Sequence, residues 1–96
     1  MELRDLLHEK SGEIRQIAAS HGAGNLRLFG SAVRGEAGSD SDIDLLIDVV
    51  STPSPWFPAG LVLDLQNLLG RRVEIVTEQS LDSPLRERVL HEAVPL

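Results

Sequence analysis

A glycine–serine pair and two aspartates, set at a fixed spacing, are the residues of this sequence best suited to chemistry. Gly30-Ser31 is followed by ten residues and then by Asp42-Ile43-Asp44. Alternate side chains of a strand point to the same face, which would place Asp42 and Asp44 about 6–7 Å apart. Two carboxylates at that distance repel each other by about 2.5 kcal/mol at an effective dielectric constant of about 20. Because Mg²⁺ binds rigid carboxylate oxygens and removes that cost, the spacing predicts a magnesium site; the alternative is an acidic face on an exposed edge strand.

The Gly30-Ser31 pair suits a phosphate group. Glycine permits close approach of the backbone to a ligand. Ser31, as the N-cap of a short helix over residues 32–36, would offer N–H and O–H donors at a helix N-terminus. We therefore expect this turn to bind phosphate.

Glu74 is the third carboxylate of interest. It stands in the apolar sequence Val73-Glu74-Ile75-Val76, where an unpartnered carboxylate is costly to bury. On a strand beside Asp42 and Asp44, it would complete a cluster of three carboxylates. The alternative is a strand residue that faces solvent.

Three other site types are excluded because residues that they require are missing. A calcium loop beginning at Asp40 fails because Leu45 replaces its turn glycine and Ser51 its bidentate glutamate. A P-loop fails because Glu36 occupies the lysine position, and a zincin helix fails because His91 has no second histidine four residues on. The three histidines, His8, His21 and His91, are expected at the surface.

Composition limits the class of protein. The chain has 96 residues, of which 42% are hydrophobic and only 3% aromatic, so we expect a single domain over residues 1–96 with an aliphatic core. The absence of cysteine excludes a disulfide scaffold, a cysteine zinc site and a thiol nucleophile. A net charge of −6 disfavours binding to a nucleic-acid polymer. With no signal-peptide pattern and no apolar run of about 20 residues, we expect a soluble, cytoplasmic protein without membrane contact.

Hydrophobic periodicity and turn residues place these motifs on elements. The pattern predicts helices over residues 3–21, 32–36, 61–69 and 83–93 and strands over residues 26–29, 42–50 and 71–77. A loop is expected over residues 37–41 and a proline-rich connection over residues 51–58, with Gly70 ending the third helix and Ser83 capping the last. Alternating strands and helices in so short a chain indicate an α/β or α+β fold with a small sheet.

The two-part motif resembles the signature of the nucleotidyltransferase superfamily typified by DNA polymerase beta. Arg34-Gly35 after the glycine–serine pair and the ending Glu92-Ala93-Val94-Pro95-Leu96 resemble its minimal nucleotidyltransferase branch, found as antitoxins paired with HEPN-domain toxins. The likeness covers residues 26–96. It implies the nucleotidyltransferase fold, a small mixed sheet of three or more strands packed with about four helices.

The resemblance also implies a site. Asp42, Asp44 and Glu74 would be the catalytic carboxylates and hold two Mg²⁺ ions, although aspartate is common where Glu74 stands. The nucleotide would be bound by Gly30, Ser31, Arg34 and Ser41.

The function implied is Mg²⁺-dependent transfer of AMP from ATP to a partner protein, at a tyrosine hydroxyl of a HEPN ribonuclease toxin. Two alternatives stay open: a module that neutralises the toxin by occlusion, and the catalytic subunit of a small-molecule nucleotidyltransferase. Trp56-Phe57 would either contact the partner or pack on the helix that follows.

Overall fold

A central strand buried on both faces organises this fold. The computed structural model describes residues 3–36 and 42–96, so the loop expected at residues 37–41 and the site residue Ser41 lie outside the described residues. The elements are α1 (Leu3–Ser20), β1 (Ala23–Phe29), α2 (Ser31–Arg34), β2 (Ile43–Val49), α3 (Ala59–Leu69), β3 (Val73–Val76), a 3₁₀ helix (Glu78–Ser80), α4 (Ser83–Glu92) and β4 (Val94–Pro95).

The sheet is mixed, and its order is β3-β2-β1-β4. Strand β2 runs parallel to β3, whereas β1 is antiparallel to both β2 and β4. The connection from β2 through α3 to β3 is therefore a crossover between parallel strands. Together with four α-helices in the described ranges, this sheet confirms the predicted fold class.

Apolar side chains on both faces of β2 fix it at the centre of the molecule. Ile43, Leu45 and Ile47 pack with residues of α1 and α3 in the main core. On the opposite face, Leu46 packs with Leu81 and with Val89 of α4. Full burial of an aliphatic side chain stabilises a fold by about 1.5–3 kcal/mol. The strand that carries Asp44 is accordingly held rigidly.

The first helix and the end of the third follow the sequence pattern. Helix α1 is continuous through Ser11-Gly12, and Gly70 ends α3 in the left-handed conformation, with a φ of 67°. The aliphatic face of α3 belongs to the core, since Leu61 and Leu65 are fully buried. In the described ranges, no helix has the length and apolarity needed to cross a membrane.

The first strand begins three residues earlier than the predicted strand over residues 26–29. Strand β1 begins at Ala23 and pairs with Val49, and its register is interrupted by an irregularity between Gly24 and Arg27. Asn25 has a φ of 47°, a conformation that asparagine tolerates better than most residues. The strand therefore passes through a segment whose composition is typical of turns.

The caps and the chain end also differ from expectation. Gly30, not Ser31, is the N-cap of α2, and Asp82, not Ser83, is the N-cap of α4. Strand β4 was not predicted, because two residues are too few to show an alternating pattern. Its Pro95 suits an edge strand, where a missing N–H costs no ladder hydrogen bond.

Candidate active site

Asp44 and Glu74 are brought together by the register of β2 and β3. Their Cα atoms are direct partners in the parallel ladder, and Phe29 of β1 is the partner of Asp44 on the other side. The side chain of Glu74 lies close enough to the Asp44 carboxyl group to act on its pKa by charge and by hydrogen bonding. Glu74 therefore lies beside Asp44, as the sequence predicts. Its side chain is also exposed to solvent.

The pKa of the Asp44 carboxyl group is raised to about 6. Partial burial is the largest cause, because it disfavours the charged form. The charge and hydrogen bond of Glu74 raise the pKa further, as does the charge of Asp42, whereas Arg34 acts in the opposite direction. Asp44 therefore sits among negative charges that the protein's own cations only partly offset.

Asp42 lies just before β2, and its side chain pairs with the guanidinium group of Arg72. Its Oδ1 accepts a hydrogen bond from Nε of Arg72 at 3.2 Å, and the Arg72 side chain is 82% exposed. Such a surface pair contributes at most about 1 kcal/mol, so Asp42 is easily released from it. In this arrangement, no three His, Asp or Glu side chains among residues 3–36 and 42–96 stand together as a ready metal site.

The donor set nevertheless suits Mg²⁺. Asp44 and Glu74 supply carboxylate oxygens from two adjacent strands, and hard oxygen ligands are those that Mg²⁺ prefers. A cation bound between them would relieve their repulsion. Asp42 is the third available carboxylate, because it already affects the pKa of Asp44 and is held only by an exposed arginine.

Gly30 must be glycine for Asp44 to occupy this position. Its φ of 78° and ψ of −150° lie in a region that is essentially restricted to glycine. A Cβ built on Gly30 would overlap the carboxylate of Asp44. The backbone of the Gly30 turn is therefore in direct contact with the Asp44 carboxylate.

A residue that the sequence analysis did not assign to the site, Glu92, reaches the same turn. Oε1 of Glu92 accepts a hydrogen bond from Nη1 of Arg34 at 2.7 Å, and Oε2 accepts one from the Gly30 N–H at 3.3 Å. Arg34 also donates to Glu36 at 3.0 Å. The hydrogen bonds to Glu36 and Glu92 raise the pKa of Arg34. The only sequence signal for Glu92 is a carboxylate at the end of a helix, where the helix dipole disfavours it.

The remaining nucleotide-site prediction that the structure describes is Ser31. It is the first residue of α2 and half-buried, next to Gly30. Its carbonyl accepts a hydrogen bond from the N–H of Glu36 at 3.0 Å, which closes the turn that carries Arg34. Ser31, Gly30 and Arg34 thus lie on one short segment beside Asp44.

His21 is not a simple surface residue, contrary to expectation. Its side chain is 14% exposed. Its Nδ1 lies 2.5 Å from Oγ of Ser54, and its Nε2 lies 2.7 Å from Oδ2 of Asp64. These contacts tie the proline-rich connection to the end of α1 and to α3. They lie at the end of β1 opposite to Gly30, away from the candidate site.

The aromatic pair in the proline-rich connection is divided between solvent and core. Trp56 is 89% exposed, whereas Phe57 packs against the main core. Of the two alternatives for this pair, packing in the interior therefore describes Phe57, whereas the Trp56 side chain is open to solvent.

An apolar cavity of about 450 Å³ lies on the other face of the sheet. It is bounded by α1, α2, β1 and the chain end, and Leu28 is among its lining residues. Leu28 pairs with Leu45, whereas its neighbour Phe29 pairs with Asp44, so Leu28 and Asp44 point to opposite faces. The lining includes none of the candidate site residues.

A family model described as "Nucleotidyltransferase domain" matches residues 11–96 of the chain. The chain belongs to the nucleotidyltransferase family. The match covers the glycine–serine turn, the paired aspartates and Glu74. The predicted resemblance is thereby confirmed, and the protein is an enzyme of the nucleotidyltransferase class.

Two curated relatives match this nucleotidyltransferase over nearly its whole length. The protein adenylyltransferase MntA of Thermococcus cleftensis is 39% identical over 93 residues, which are 97% of this chain and 91% of the relative. A Methanocaldococcus jannaschii protein, provisionally named a protein adenylyltransferase, is 33% identical over 92% of this chain and 95% of its own.

Solved structures have the same fold. A structure described provisionally as a minimal nucleotidyltransferase superimposes with a TM-score of 0.83 at 45% identity, covering 100% of this chain and 97% of its own. A chain from a toxin–antitoxin crystal structure with AMP-PNP superimposes with a TM-score of 0.73 at 22% identity, covering 88% and 69% respectively. At that identity, the second likeness shows the fold alone.

The Gly30→Ala variant of this nucleotidyltransferase should be destabilised by about 1–3 kcal/mol or more, because it combines a forbidden backbone conformation with overlap on Asp44. Gly35→Ala is the matched control, since Gly35 has a φ of 75° but no atom of residues 3–36 and 42–96 within 4 Å that its Cβ would meet. It should cost only about 1 kcal/mol. Urea denaturation measures both; equal losses would contradict the close contact between Gly30 and Asp44.

The Asp44→Asn variant should be more stable than the wild type in metal-free buffer at pH 8. A carboxyl group whose pKa rises from 3.8 to about 6 on folding stabilises the folded state below about pH 4, and this contribution is lost as the pH rises through about 6. Asparagine resembles the protonated form, so the gain should be roughly 1–2 kcal/mol at pH 8 after allowance for solvent screening, and absent at pH 4.

The control for this prediction is Asp48→Asn on the same strand. Asp48 pairs with Arg27 at 2.8 Å, so its loss should destabilise the protein at pH 8. Thermal unfolding with and without Mg²⁺ measures both variants. A lower midpoint for Asp44→Asn in metal-free buffer at pH 8 would contradict the repulsion assigned to Asp44.

Proposed function

We propose that this chain transfers AMP from ATP to a hydroxyl group of a partner protein and acts as the antitoxin of a toxin–antitoxin pair. The observation that carries the proposal is the pair of carboxyl groups of Asp44 and Glu74 beside the Gly30 turn. The name of the Thermococcus cleftensis relative supports adenylyl transfer to protein. ATP as the donor and a toxin as the partner are what the family resemblance implies, and a chain crystallised in a toxin–antitoxin complex with AMP-PNP has the same fold.

The triphosphate would lie along the segment from Gly30 to Arg34. The Gly30 N–H, the Ser31 hydroxyl and the Arg34 guanidinium are donors of the kind that bind phosphate oxygens. Ser41, carried over from the family resemblance, would add a further hydroxyl. These groups would hold the β- and γ-phosphates and present the α-phosphate to Asp44.

Asp42, Asp44 and Glu74 would hold two Mg²⁺ ions. Bound Mg²⁺ supplies positive charge to the triphosphate and lowers the pKa of the acceptor hydroxyl. Asp42 would leave its exposed pair with Arg72 to take part, which costs little because surface pairs are weak. Mg²⁺ would also offset the repulsion between Asp44 and Glu74.

The transfer conserves atoms and charge. The acceptor oxygen forms a bond to the α-phosphorus, the bond from that phosphorus to the bridging oxygen breaks, and pyrophosphate leaves. The proton of the acceptor hydroxyl passes to the carboxylate of Glu74. A glutamate at this position reaches further than an aspartate, and its exposure leaves the acceptor side open to a protein substrate.

The partner that the family resemblance implies is a HEPN-domain ribonuclease, modified at a tyrosine hydroxyl. One feature of the surface supports docking of a protein. The Trp56 side chain is 89% exposed on the proline-rich connection, and exposed tryptophans are over-represented among residues that dominate binding energy at interfaces.

Label transfer tests the proposal. With Mg²⁺ and ATP labelled at the α-phosphate, the wild type should label one protein of the host lysate, and ATP labelled at the γ-phosphate should not. Asp44→Asn should reduce transfer by at least about 100-fold, as expected for loss of a metal-binding carboxylate, whereas Asp48→Asn should retain it. Labelling by the γ-phosphate, or full transfer by a folded Asp44→Asn variant, would refute the proposal.

The alternative is a module that binds the toxin without modifying it. It is favoured by one observation, the pairing of Asp42 with Arg72, which leaves the carboxylate cluster incomplete. This reading expects Asp42→Ala to protect cells from the toxin as well as the wild type does. Loss of protection in a folded variant that still binds the toxin would exclude it.

A further inference from the structure

The Glu92 carboxylate contacts two of the groups to which the proposed function assigns the triphosphate. Its Oε1 lies 2.7 Å from Nη1 of Arg34, and its Oε2 lies 3.3 Å from the Gly30 nitrogen. Its side chain is 22% exposed. Both oxygens are therefore engaged by donors, one a guanidinium and one a backbone N–H, that equally suit a phosphate group.

The position of Glu92 in its helix is unfavourable without these partners. It is the last residue of α4, where the partial negative charge of the free carbonyls disfavours an anion. The chain that follows holds it there, because Val94, two residues later, pairs with Leu28 in the sheet. The carboxylate is thus fixed beside Gly30 by the edge strand and neutralised by Arg34.

We propose that Glu92 is an internal competitor of the nucleotide triphosphate. In the nucleotide-free protein it occupies the Gly30 N–H and Arg34, and a triphosphate must displace it before those groups can bind phosphate. Glu92 thereby sets the affinity of the site and disfavours weakly binding anions. The inference rests on the proposed function for the identity of the ligand, but it concerns binding and not transfer.

The competing explanation is that Glu92 only positions Arg34. The two explanations predict opposite changes in the affinity for the ligand when Glu92 is replaced. A competitor that is removed leaves a site that binds its ligand more tightly, whereas a positioning group that is removed leaves a weaker one. Neither Asp44 nor Glu74 changes in the comparison, so the metal-binding carboxylates are the same in every sample.

Isothermal titration calorimetry with ATP, and separately with inorganic tripolyphosphate, in excess Mg²⁺ measures the direction of this change in affinity. Glu92→Gln removes the charge and keeps the shape, and Glu92→Ala removes the group. Both should lower the Kd by about 3- to 10-fold, the range expected for loss of a competing charged hydrogen bond. The gain should hold for tripolyphosphate, which has no base or sugar.

Two controls separate competition from general charge effects. Glu87→Gln removes the same charge from an exposed position of α4 and should leave the Kd unchanged. In an Arg34→Gln background, the gain from Glu92→Gln should shrink, because the two residues act as a pair. Circular dichroism and thermal midpoints establish that each variant is folded.

The inference is overturned if both Glu92 variants bind with unchanged or higher Kd, if Glu87→Gln gives the same gain, or if Glu92→Gln binds neither ligand. The proposed function fails separately, by the label-transfer assay with the wild type. Tighter binding by Glu92→Gln in a protein that labels no partner would refute that function and leave the competition established.

Discussion

The contact between two like-charged groups, Asp44 and Glu74, is the constraint on which the rest of this structure depends. The parallel register of β2 and β3 makes them direct partners, and the charge of Glu74 adds to the burial that raises the pKa of Asp44. Folding gains nothing from placing two carboxylates together in a partly buried position. Such a placement suits a ligand that needs concentrated negative charge, such as the divalent cation of the proposed function.

The scaffold around this pair is built to withstand its repulsion. Strand β2 has fully buried apolar side chains on both faces, including Leu45 and Leu46, so Asp44 cannot move away without disturbing both cores. The backbone of Gly30 packs directly against Asp44, since a Cβ at Gly30 would overlap the Asp44 carboxylate. The nearby arginines are already engaged, Arg72 by Asp42 and Arg34 by Glu36 and Glu92. These arginines therefore offset the negative charge of the acidic pair only partly.

Local patterns predicted most of this arrangement, and long-range contacts account for what they missed. The Gly30-Ser31 and Asp42-x-Asp44 spacing predicted the candidate site, because both motifs are local signals at strand ends. Glu74 was predicted from its apolar neighbours, although its partner depends on the register of two strands. Glu92 could not be assigned, since it reaches Gly30 only through the packing of α4 and the pairing of a two-residue strand. The early start of β1 was missed because Asn25 and its neighbouring glycines are typical of turns.

The most direct measurement is anomalous diffraction from crystals of the protein grown with Mn²⁺ and a non-hydrolysable ATP analogue. The account predicts Mn²⁺ bound to the carboxylates of Asp44 and Glu74, with the phosphates against the Gly30 turn and Arg34. The adjacent apolar cavity on the opposite face of the sheet should contain no nucleotide. Mn²⁺ absent from Asp44 and Glu74, or the nucleotide seated on that other face, would contradict the account.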